Sequence, residues 1–73
     1  MTARERRESL LVWIRARRAH DGLTVSEIID VIGYPYDKIT PGRYDTCLAD
    51  LKALQREECV TRTPGRPARW HAT

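Results

Sequence analysis

No apolar run in this chain approaches the ~18 residues a membrane-spanning helix needs. The first seven residues lack the apolar core of a secretory leader, so a cytoplasmic protein with no membrane partner is expected. Cysteine is scarce: Cys47 and Cys59 are the two present, with no second pair. Cys47 falls on the apolar face of an expected helix, which points to a reduced thiol packed in the core rather than a disulfide. No closely spaced ligand pair such as CxxC accompanies His20 and His71, so no metal and no cofactor is expected. A nucleophilic site drawn from Cys47 or Cys59 with His71 meets the same objection, because a buried helix cysteine is inert. A chain this short has no obvious pocket, and neither enzymatic activity nor a small-molecule substrate is expected. Repeats and low-complexity tracts are also missing.

What is present is enough for one domain over residues 1–73, with a single small core. A domain of this size buries only about 60% of the surface its unfolded chain exposes. Lys plus Arg number 13 against 10 acidic residues, a modest excess that suits a polyanionic partner. Its distribution says more than its size. Residues 1–20 carry six Arg against two Glu, residues 21–61 four basic against eight acidic side chains, and residues 62–73 three Arg and no acid. Both ends are basic and the middle is acidic.

The first helix is expected over about residues 3–19, with Leu10, Leu11, Trp13 and Ile14 within one arc of the helical wheel and Trp13 and Trp70 as core anchors. Gly22 is placed to close it in the left-handed conformation. Leu23 to Val25 suits a short strand. Thr24 with Glu27 forms a capping box for a second helix over about 25–32, whose buried stripe is Val25, Ile28, Ile29 and Ile32. Gly33 ends that helix. After a loop containing Tyr34 and Tyr36, which pack on the core or meet a protein partner, Thr40 and Pro41 offer an N-cap and a first helical residue. The third helix follows over about 41–57, with the stripe Tyr44, Cys47, Leu48, Leu51 and Leu54. A hairpin is expected over about 59–72. Pro64 and Gly65 suit its turn, with Gly65 at positive φ, and Pro67 holds Arg66 extended. Ala68, Trp70 and Ala72 alternate toward one face.

The second-helix segment 23–33, Leu51 to Leu54 of the third helix, and the stretch Thr63 to Trp70 together resemble the winged helix-turn-helix domains of bacterial repressors, in the pattern of the LexA amino-terminal domain. The resemblance covers roughly residues 8–72 and is at the level of fold. It implies an α+β winged helix-turn-helix in the order helix, strand, helix, helix, strand, strand. It also implies double-stranded DNA as partner, the third helix in the major groove and the hairpin wing on phosphates or the minor groove. The link from Gly33 to Thr40 is longer than the 3–4 residues of a tight helix-turn-helix.

With Leu51 on the buried meridian, the outer face of the third helix carries Gly42, Asp45, Thr46, Ala49, Ala53 and Arg56. Thr46 and Ala49 are candidate readers of thymine methyls, with Arg43, Lys52 and Arg56 as phosphate or base contacts. Asp45 and Asp50 oppose that reading by their charge. Small residues on this face also suit a partner helix, so a winged-helix protein-docking module is the alternative. Gly65, Arg66 and Pro67, flanked by Arg62 and Arg69, resemble the core of an AT-hook, and an arginine projecting from the turn suits a narrow minor groove. Arg4, Arg6 and Arg7 either form a solvated face or extend a phosphate footprint. Val12, Ala16 and Ala19 are the candidate face for a homodimer.

Overall fold

The computed structural model describes residues 2–17, 22–33, 36 and 41–73. Helix α1 spans Ala3–Arg17; α2 spans Val25–Glu27 and runs directly into a π-helical turn at Ile28–Ile32; α3 spans Arg43–Arg56. Strands β1, Val60–Thr63, and β2, Arg69–Ala72, form an antiparallel hairpin with Val60 opposite Ala72 and Thr63 opposite Arg69. The class is α+β, and the arrangement is compatible with a small winged-helix-like domain.

Two helices open on the same local device. The Thr24 hydroxyl accepts the Glu27 backbone N–H at 3.1 Å and donates to the Glu27 carboxylate at 3.2 Å. Thr2 and Glu5 repeat both bonds at 3.2 Å at the start of α1, a capping pair that the sequence reading did not single out. Each satisfies an amide that the first helical turn leaves without an intrahelical acceptor. Gly33, at φ 70°, closes the second helix with its N–H donated to the Ile28 carbonyl. α3 departs from expectation. It begins at Arg43 behind Gly42, which takes φ 98° and makes no side-chain cap, while Pro41 lies in the preceding turn. Thr40, Tyr34 and most of the link between the helices lie outside the described residues, as do Lys38, Ala19 and His20.

Of the expected three-stranded arrangement, the described residues show two strands and one bridge. Leu23 pairs with Trp70 alone, exchanging N–H···O bonds of 2.9 and 2.8 Å in both directions. This bridge fixes the hairpin to the start of α2. It also explains why position 22 is glycine: φ is 77°, and a Cβ there would stand 2.8 Å from the His71 ring. In the hairpin turn Gly65 does not have positive φ, contrary to expectation, and the Arg66–Pro67 bond is cis.

One core joins all elements: Leu10 and Ile14 from α1, Val25 from α2, Ile28 from the π-helical turn, Cys47, Leu51 and Leu54 from α3, and Val60 and Trp70 from the hairpin. Each large apolar side chain fully removed from water contributes roughly 1.5–3 kcal/mol. Trp70 is buried as expected, and Tyr36 from the inter-helix link is buried with it. Two expected core residues are not inside: Trp13 is 44% exposed and Tyr44 is 49% exposed. Among the described residues no helix is long and apolar enough to cross a membrane.

Candidate nucleic-acid interface

The two sides of α3 do different work, and one carboxylate decides which is which. Asp50 sits in the middle of the helix with its side chain 1% exposed. It accepts from Arg6 Nε at 2.5 Å and Nη2 at 2.9 Å, from Arg7 Nε at 3.3 Å, and from the Tyr36 hydroxyl at 2.7 Å. Burial pushes the Asp50 carboxyl up, but the hydrogen bonds from Arg6 and Tyr36 outweigh it and hold the group below its ordinary value. Burial raises the Tyr36 phenol, and the bond to Asp50 raises it further. The neighbouring Cys47 thiol is pushed up to about 12 by burial and then by the Asp50 charge, which leaves it a protonated core residue at neutral pH. Arg6 and Arg7, candidates for a phosphate footprint, are thus turned onto α3, and Arg4 pairs with Glu8 along the surface of α1 at 3.3 Å.

Because Asp50 points inward, the buried stripe of α3 is Cys47, Asp50, Leu51, Ala53 and Leu54. The helix is therefore rotated relative to a wheel centred on Leu51. Ala53, expected on the outer face, is buried, and Tyr44, expected inside, faces out. The signal for this lay in the sequence only as an acid at a position that apolar periodicity places near the core edge. Its partners lie 14 and 44 positions away.

The rotation lets α3 form one wall of an open groove of about 540 Å³. Tyr44, Leu48, Lys52 and Gln55 line it from α3, Thr24 and Ser26 from the start of α2, and Arg62, Gly65 and Pro67 from the hairpin. Arg62 stands opposite Trp70 in the strand register, so the two side chains share one face of the hairpin, Trp70 buried and Arg62 exposed. Among the described residues no carboxylate lines the groove, and the charges that do are Lys52 and Arg62. Tyr44 and Gln55 belong to this wall although neither was among the sequence-derived candidates.

The remaining candidates fall in three places. Arg66 is exposed in the hairpin turn next to the groove-lining Gly65 and Pro67. Arg43, Ala49 and Arg56 are exposed on α3, and Thr46 is half-buried, outside the groove lining. Arg69 points the other way: its Nη1 donates to the Gly22 carbonyl at 3.3 Å and to the Glu27 carboxylate at 3.4 Å, tying β2 to the start of α2. No known protein family, curated protein or solved structure matches the chain.

Proposed function

We propose that the chain is a winged helix that binds double-stranded DNA in the cytoplasm, as a small transcriptional regulator or recombination accessory factor. In this reading the order is helix, strand, helix, helix, strand, strand, and the Leu23–Trp70 bridge stands for the first strand. α3 enters the major groove, which is wide enough for a helix. The hairpin, with Arg66 at its turn, lies against phosphates or the minor groove. The observation that carries the proposal is the groove between α3 and the hairpin, lined by Lys52 and Arg62 and, among the described residues, by no acid. A surface built to receive a polyanion needs that combination, and the acidic residues of the central segment would oppose it if they lined the groove. The rival reading, a protein partner seated on small residues of α3, loses Ala53 to the interior.

The footprint is smaller than the count of arginines suggests. Arg6, Arg7 and Arg69 have intramolecular partners, which leaves Lys52, Arg62 and Arg66 with Arg43 and Arg56 on the flanks. Neutralising three to five phosphates gives a slope of log affinity against log salt of about −3 to −4.5. Fluorescence anisotropy with short mixed-sequence duplexes between about 50 and 200 mM salt measures it. A slope near zero, or no binding at low salt, removes the proposal.

A further inference from the structure

Among the described residues that line the groove, one neutral side chain offers a donor and an acceptor together. Lys52 and Arg62 take any phosphate. The Thr24 hydroxyl is committed to Glu27 on both its donor and acceptor sides. The hydroxyls of Ser26 and Tyr44 are single rotors that bond to any acceptor or donor presented. Leu48, Ala68 and Pro67 are apolar. Gln55 differs from all of these: its amide holds a donor and an acceptor in one plane, it is exposed on the groove wall, and among the described residues its side chain has no hydrogen-bond partner. It stands three residues after Lys52, so the two side chains share one face of α3. A base edge that offers an acceptor beside a donor is matched by that amide, and in the major groove this is the N7 and N6 edge of adenine.

We infer that Gln55 is the specificity-determining residue of the interface and that it selects an adenine. The inference rests on the DNA-binding reading and deepens it, assigning sequence choice to the groove wall rather than to Thr46 and Ala49. Lys52 beside it supplies affinity without choice. Since Gln55 is exposed and outside the core, its replacement leaves the fold intact.

The test is selection of bound duplexes from a random pool by the full chain, its Gln55→Ala variant and its Gln55→Glu variant. Wild type is expected to enrich a site with one adenine preferred about tenfold over other bases. Gln55→Ala is expected to flatten that one position, and Gln55→Glu to shift the same position toward cytosine, whose N4 amino group donates to a carboxylate. An enriched site unchanged in Gln55→Ala overturns the inference and leaves DNA binding standing, as does wild-type binding with no sequence preference. Failure of every duplex to bind overturns both.

Discussion

Arginine is concentrated at both ends of this chain, and the two ends use it in opposite ways. In α1, Arg6 and Arg7 fold back onto Asp50, with side chains 19% and 37% exposed, and join the first helix to the third. In the hairpin, Arg62 and Arg66 are exposed, and Arg62 lines a groove that holds no acid among the described residues. The residue type is the same; the difference is whether a buried carboxylate lies within reach. A net positive charge is therefore a poor measure of binding surface until internal pairs have been subtracted. A buried ion pair is also a weak source of stability in itself, since desolvation offsets much of the attraction, yet removing one partner strands the other.

The sharpest way to break the comparison is to remove one arginine from each end. Arg6→Met leaves the buried Asp50 carboxylate with only its Arg7 and Tyr36 bonds and is expected to cost about 3 kcal/mol, a large part of the stability of a domain this size. Arg62→Met, on an exposed strand position, is expected to stay within about 0.5 kcal/mol of wild type. Urea unfolding followed by tryptophan fluorescence measures both. Equal small losses would show that the α1 arginines are as free as those of the hairpin.

Acid sharpens the same contrast. The Asp50 carboxyl is depressed in the folded protein, so its contribution is fully present above its unfolded value of about 3.9 and is lost as pH falls through the lower folded value. Stability should decline on that acid limb. In Asp50→Asn the component is missing, so the variant should be less stable at neutral pH and approach wild type as the acid is titrated. A constant difference between the two at every pH would contradict the assignment.

Binding effects are expected to be smaller and confined to the other end. Lys52→Met or Arg62→Met should reduce the magnitude of the salt slope by about 1 each, whereas Arg69→Met, which loses a bond to Glu27, should leave the slope unchanged. For Arg66→Ala, a minor-groove contact predicts about tenfold weaker binding at sites flanked by A·T tracts and a lesser loss at G·C flanks. Equal losses on both would make the hairpin a phosphate clamp.

The helices were legible because apolar spacing and capping chemistry are local. Leu10 with Ile14, Val25 with Ile28, and Cys47 with Leu51 and Leu54 were read from periodicity, and Thr24 with Glu27 and Gly33 marked the limits of the second helix. Trp70 was read correctly as buried because strand alternation puts it on one face with Ala68 and Ala72. The rotation of α3 was not legible, since a wheel weighted by hydrophobicity leaves Asp50 off the buried stripe and places Ala53 outward and Tyr44 inward. The outcome depends on Arg6 and Tyr36 meeting Asp50 in space. The groove inherits that limit. Lys52 and Arg62 were candidates by charge, while Gln55 and Tyr44 join them only once the helix is turned. The expected first strand is seen only as the Leu23–Trp70 bridge among the described residues, a non-local pairing that local spacing does not specify.

The most direct measurement is a two-dimensional amide NMR titration of the full chain with mixed short duplexes, which reports binding and its face together. The account predicts shifts at Lys52, Gln55, Arg62 and the turn from Gly65 to Ala68, with Arg6 and Arg7 of α1 unmoved. Shifts centred on α1, or none at any residue, would contradict it.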